Sequence, residues 1–185
     1  MQLRYADAAA RCSDLFDPAN SEALIRTRRL LLTPLALADE AEHARASGDA
    51  ADALRDTRAA ATQWREHGFG PWAVRDRRDD SFLGGAELRF AGDGIEGIAP
   101  DEVEAGWWVA EDRRREGIAL EAMEAAIADL WRRADADLVT AYVEAGNEPS
   151  HRLAAKLGFV RRCEGRGRSG EAMTVYELRR PRWMR

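Results

Sequence analysis

The stretch of this chain whose residue types and spacing could do chemistry is Arg114-Arg115-Glu116-Gly117-Ile118-Ala119. Small residues at 117 and 119 let a ligand approach the backbone closely. The helical pattern that follows offers unpaired N–H groups and the positive end of a helix dipole. Together these make an anion site that a pyrophosphate would fit. Arg113, Arg114 and Arg115 precede that helix, where exposed cations are disfavoured by roughly 0.3–1 kcal/mol each. Glu116 and Glu121 offset part of this, and a bound polyanion would offset more. The alternative is a solvated arginine run, but the glycine, the small residue and the helix together favour the anion site. The loop has no Lys-Ser or Lys-Thr pair after its glycine, so it is not a nucleoside-triphosphate loop. It also lacks the three glycines of a dinucleotide fingerprint.

A loop of this kind needs a strand before it and a helix after it. Val103 to Ala110 reads as the strand. Ala119 to Ala134 reads as the helix, with Leu120, Met123, Ile127, Leu130, Trp131 and Ala134 forming one apolar stripe. Further elements extend on both sides. Strands are expected over Leu24 to Leu32, Trp72 to Arg75, Phe82 to Phe90, Leu138 to Glu144, Phe159 to Cys163 and Met173 to Arg179. Helices are expected over Asp39 to Ala46, Asp52 to His67 and Pro149 to Leu157, the last with Gly158 just beyond it. Residues 92 to 102 hold Gly92, Gly94, Gly97 and Pro100 and read as an exposed loop. Strands and helices alternate irregularly, so the fold class is mixed α/β, a helix-backed sheet.

The chain has 185 residues, 45% apolar and 33% charged, which suits one domain with one core. Residues 1–22 read as a lead-in, 23–180 as the domain and 181–185 as a tail. The formal net charge of -5 argues against a general nucleic-acid coat. Cys12 and Cys163 are far apart without metal spacing, so free thiols in a reducing compartment are expected. His43 and His67 form no metal pattern either, so no metal is expected. No signal-peptide core or membrane-length apolar run is visible, which points to the cytoplasm.

The arrangement Arg114-x-x-Gly117-x-Ala119 between a strand and a helix resembles the acetyl-CoA signature of the GNAT N-acetyltransferases. Glu104-Ala105-Gly106-Trp107-Trp108-Val109 precedes it at the expected distance. Asn147-Glu148-Pro149-Ser150 and Lys156-Leu157-Gly158-Phe159 resemble the ribosomal-protein-alanine (RimJ/RimL-like) branch. So do Gly68-Phe69-Gly70-Pro71-Trp72-Ala73-Val74 and Phe82-Leu83-Gly84, and the likeness runs from about Leu24 to Leu178.

The resemblance implies a twisted mixed sheet of six to seven strands with helices on both faces, splayed at one parallel pair. It implies acetyl transfer from acetyl-CoA to a primary amine in a ternary complex. Trp107, Trp108 and Val109 would meet the pantetheine arm, and the Trp107 amide would polarise the acetyl carbonyl. Arg114 and the amides of Arg115, Glu116, Gly117, Ile118, Ala119 and Leu120 would cradle the pyrophosphate. Asn147 would hold pantetheine.

Glu104 shares a strand face with Gly106 and Trp108 and is either the base or a solvent-facing strand residue. Ser150 is either the partner of the departing sulfur or a local backbone ligand. Ala154 stands where many relatives carry an acidic tyrosine. Trp72, Glu104 and Trp108 are the candidate acceptor-lining residues. The acceptor is a protein or peptide α-amine, or else a small amine such as an antibiotic or polyamine. A non-catalytic acetyl-CoA sensor is the rival class, and a homodimer is an expected assembly.

Overall fold

Thr27 decides how the sheet begins. Its hydroxyl accepts from the Leu30 amide at 2.9 Å, and its own amide donates to the Leu30 carbonyl at 3.0 Å. This turn splits the single strand expected at Leu24 to Leu32 into β1 (Ile25–Arg26) and β2 (Leu30–Pro34). The computed structural model describes residues 23–181, so the expected lead-in and nearly all of the tail lie outside the described residues.

After β2 come a 3-10 turn, α1 (Glu40–Ser47), α2 (Ala50–His67), β3 (Trp72–Asp76) and β4 (Phe82–Phe90). Then follow β5 (Val103–Val109), α3 (Ile118–Arg133), β6 (Leu138–Glu144), α4 (Glu148–Lys156), β7 (Val160–Arg166) and β8 (Ala172–Arg179). Local signals set the helix ends. Asp49 caps α2 by accepting from the Asp52 amide, and left-handed Gly68 stops it.

All eight strands form one sheet in the order β1-β2-β3-β4-β5-β6-β8-β7. Eight stand where six to seven were expected, because the first hairpin adds a two-residue strand. Every pairing is antiparallel except β5 with β6.

Paired residues share a sheet face, and the register separates two environments. One face carries Leu30, Leu32, Val74, Leu88, Val103, Ala105 and Val139 against the α3 stripe of Ile118, Met123, Ile127 and Leu130. The other face carries Gly85, Glu87 and Arg89 of β4 beside Trp108, Gly106 and Glu104 of β5. Helix α1 borders that second face, where the ring of His43 lies 4.8 Å from that of Trp108. The buried Arg75 binds Asp39 and Glu42, each at 2.6 Å, and fixes α1 there. Loop 91–102 borders its far side, with Ala91, Ile95 and Ile98 packed on Val175, Tyr142 and Cys163.

Candidate active site

The parallel ladder between β5 and β6 is short. Only Val103 with Val139 and Glu104 with Thr140 pair, although both strands continue. From Ala105 to Val109 the strands part, leaving a gap that an extended chain could enter with backbone groups on offer. The Trp107 indole donates to the Ser150 hydroxyl at 3.3 Å, across this gap to the first turn of α4. The Asn147 side chain accepts from the Ser150 amide at 3.2 Å and caps that helix.

Beyond β5 the backbone turns twice into the left-handed region, at Arg115 (φ 67) and Gly117 (φ 77). Such turns bring successive amides together in front of a helix. Gly117 is the N-cap of α3 and has no capping side chain. The next amides, of Ile118, Ala119 and Leu120, have no partner within the helix. A side chain at 117 would meet only the Arg29 guanidinium, at 3.5 Å, so the space over the glycine is open.

The turn between β1 and β2 braces this loop. Thr27 Oγ1 and the Arg29 amide both donate to Glu121 Oε1, at 2.6 and 2.9 Å. Arg29 Nε donates to Glu121 Oε2 at 2.7 Å and its Nη1 to the Glu116 carbonyl at 2.8 Å. Arg113 pairs with Glu116, and Arg114 donates to the Val109 carbonyl at 3.2 Å. The open glycine, the free amides and the parted strands suit a phosphorylated ligand with a long extended arm.

A second cluster of polar side chains lies on the other face, across β4 and β5. Glu104 is 3% exposed. Its Oε1 accepts from Arg89 at 3.3 Å, while Oε2 faces Arg168 at 3.6 Å and has no hydrogen-bond partner. Arg89 also pairs with Glu87 at 3.1 Å. Burial pushes the Glu87 carboxyl up; the Arg89 cation opposes this, Asp56 and Glu104 add to it, and the Trp108 indole hydrogen bond opposes it. Arg168 extends from the β7–β8 turn to the Tyr142 hydroxyl at 3.0 Å and closes one side. Burial lowers the pKa of His43, whose ring nitrogens have no partner, so it is neutral near pH 7.

The family model that matches this chain is the acetyltransferase (GNAT) domain, over residues 29–160. The chain belongs to the GNAT acetyltransferase family. A GNAT-family acetyltransferase from Bordetella pertussis is 27% identical, with a TM-score of 0.73 over 84% of this chain and 99% of the other. An acetyltransferase from Agrobacterium tumefaciens is 21% identical, with a TM-score of 0.69 over 85% and 94%. RimJ of Mycobacterium smegmatis, in complex with CoA-disulfide, is 18% identical, with a TM-score of 0.64 over 84% and 86%. No curated protein matches the chain in sequence. The protein is an acetyl-CoA-dependent N-acetyltransferase.

Trp107 and Val109 stand on β5 where its ladder with β6 has ended, Arg114 to Leu120 span the loop and the first turn of α3, and Asn147 and Ser150 stand at the start of α4. Trp108 lies on the opposite face, among His43, Phe82 and Glu87. Trp72 corrects an expectation. It is 1% exposed and stacks edge-on against Trp64 at 4.6 Å, so it is a core aromatic and lines no open cleft. Glu104 lies on the expected face but is enclosed between two arginines and is not solvent-facing.

At Ser150 the backbone amide donates to the Asn147 side chain, while the hydroxyl accepts from the Trp107 indole. His151 bonds to the Tyr176 hydroxyl at 2.8 Å and takes no part with Ser150. The sequence reading missed Glu87, Arg89, Tyr142 and Arg168. A signal existed for the first two: Gly85, Glu87 and Arg89 alternate with Ala86 and Leu88, which puts charges on one face of an inner strand. Tyr142 and Arg168 join them only through the strand order.

Among the described residues no helix is long and apolar enough to cross a membrane. No group of three or more His, Cys, Asp or Glu among them could hold a metal ion.

Proposed function

We propose that this acetyltransferase modifies the α-amine of a protein or peptide, in the manner of the RimJ/RimL-like branch, by direct transfer in a ternary complex. One observation carries the reading. The Asn147-x-x-Ser150 motif, which resembles that branch, stands where the β5–β6 gap meets the start of α4. Acetyl-CoA lies with its pyrophosphate over Arg115 to Leu120 and its pantetheine in the gap, beside Asn147. The Trp107 amide polarises the acetyl carbonyl, as oxyanion-hole donors do. The Ser150 hydroxyl, oriented by the Trp107 indole, donates to the departing thiolate.

The acceptor enters on the opposite face of β5, along Trp108 and past Glu104. The neutral amine attacks the thioester carbon, a C–N bond forms and the C–S bond breaks. Two carboxylates, Glu87 and Glu104, lie on that face to take the amine's proton. The same reading places the enzyme in the cytoplasm as a homodimer, and Val160, 60% exposed on the edge strand β7, supports the second point.

The test is mass-spectrometric. Purified protein and acetyl-CoA are incubated with alanyl and seryl peptides, with spermidine and with an aminoglycoside. Acetylation at the peptide α-amine is the expected result. Acetylation of only the small amines would overturn the acceptor assignment. Tight acetyl-CoA binding with no product from any amine would favour a sensor.

A further inference from the structure

We infer that Glu87, rather than Glu104, takes the proton from the acceptor amine; this rests on the acetyl-transfer reading above. Three observations carry it. The first is position along β5. The Trp107 amide marks the acetyl carbonyl, and Glu104 lies three residues before it, about 10 Å along an extended strand. Glu87 is the ladder partner of Gly106, the residue adjoining Trp107. The second is space. A Cβ at 106 would lie 3.2 Å from Glu87 Oε2, so the missing side chain leaves the surface beside Trp107 to this carboxylate. The third is access. Glu104 is sealed at 3% exposure between Arg89 and Arg168, whereas the Glu87 side chain is 17% exposed.

The groups around Glu87 suit the role. Arg89, on its own strand, joins both carboxylates and holds Glu87 toward β5. The Trp108 indole gives it a hydrogen bond, and Asp56 of α2 and Glu104 of β5 face it with negative charge. Tyr142 of β6, Arg168 of the β7–β8 turn and neutral His43 of α1 complete the surroundings. Burial and the neighbouring acids hold the Glu87 carboxyl above its ordinary value, against the pull of Arg89. That makes it a stronger base than a free carboxylate. The acceptor ammonium passes one proton to Glu87, and the neutral nitrogen then bonds to the acetyl carbon. As the C–S bond breaks, the Ser150 hydroxyl gives its proton to the thiolate and takes up the remaining surplus N–H proton, and Glu87 returns its proton to water. Glu104 acts through Arg89 as a positioning residue.

The experiment compares wild type, Glu87→Gln, Glu87→Asp and Glu104→Gln. It measures kcat/KM against pH with acetyl-CoA and the best peptide or amine of the panel above, and acetyl-CoA affinity by calorimetry. Glu87→Gln should lose roughly 100-fold near neutral pH, bind acetyl-CoA within about twofold of wild type, and regain rate as pH rises toward the acceptor's own pKa. Glu87→Asp should keep the wild-type profile at a lower rate, and so should Glu104→Gln. A Glu87→Gln profile of wild-type shape, at any rate, would overturn the inference. So would a Glu104→Gln profile that alone loses the limb. A wild type that binds acetyl-CoA and acetylates nothing removes the transfer reading itself, which is a separate and recognisable outcome.

Discussion

At the residue scale, the site separates polar side chains that are satisfied from those kept under tension. Ser150 is satisfied, with its hydroxyl meeting an indole and its amide meeting Asn147. Removing that hydroxyl should reach chemistry more than binding. Ser150→Ala is expected to lower kcat roughly 100-fold if the group protonates the thiolate, with acetyl-CoA affinity nearly unchanged by calorimetry. Glu87 is under tension, because its carboxyl is held above the ordinary value of 4.5, by burial first.

The sign of the consequence follows from linkage. A carboxyl with a raised folded value binds its proton more tightly in the folded state than in the unfolded one. Folding therefore loses stability as pH rises from the ordinary value through the raised one. Glu87→Gln cannot ionise, so its Tm should exceed that of wild type at pH 7–8. The gain should shrink as the pH falls toward 4.5. Equal Tm values across this range would mean that burial does not strain the group.

At the element scale, one turn and one helix explain why a run of arginines is tolerated ahead of α3. The sequence exposes an apparent conflict between those cations and the helix dipole. In the structure Arg113 is paired with Glu116, and Arg29, from the β1–β2 turn, is clamped to Glu121. Burial pushes the Glu121 carboxyl up, but the bonds from Thr27 and Arg29 outweigh this and hold it below its ordinary value. A depressed carboxyl stabilises the fold above its unfolded value and loses that contribution as pH falls through its folded value. Glu121→Gln should therefore cost about 1–2 kcal/mol near pH 7, from charge-assisted hydrogen bonds lost. The cost should fade as the pH falls from the ordinary value of 4.5 through the depressed one in acid-titrated thermal melts. The clamp also holds Glu116 through its carbonyl, so the variant should weaken acetyl-CoA binding as well as the fold.

At the scale of the whole molecule, one sheet carries two half-sites on either side of β5. In the reading proposed above, the gap and α3 take the cofactor, while the face bearing Glu87, Glu104 and Trp108 takes the acceptor. Cofactor binding to the folded state alone stabilises it, by about 2.7 kcal/mol at 100 times Kd. For a chain of this length that corresponds to a rise in Tm of about 5–10 °C. Gly117→Val should abolish the rise. Its φ of 77 makes any side chain there strained, by roughly 1–2 kcal/mol, and the open space over the loop would be filled. A ligand-free variant that melts within a few degrees of wild type but gains nothing from acetyl-CoA is the expected result. A full gain would move the cofactor site elsewhere.

The sequence by itself determined the elements and the loop. Periodicity placed α3 and β6 within a residue of their ends, because an amphipathic stripe and a buried apolar run are local patterns. The spacing of Arg114, Gly117 and Ala119 identified the loop for the same reason: a left-handed turn before a helix is a local demand on residue type. Trp72 was beyond such reading, since a tryptophan in a strand reads alike in a core or in a cleft until its neighbour Trp64 is known. The acceptor face was also beyond it. Glu87, Glu104, Tyr142 and Arg168 come from three strands and a turn, and only the order β4-β5-β6-β8 brings them together. Burial and ion pairing then decided which carboxylate is sealed and which keeps partial exposure, because both depend on contacts distant in the chain.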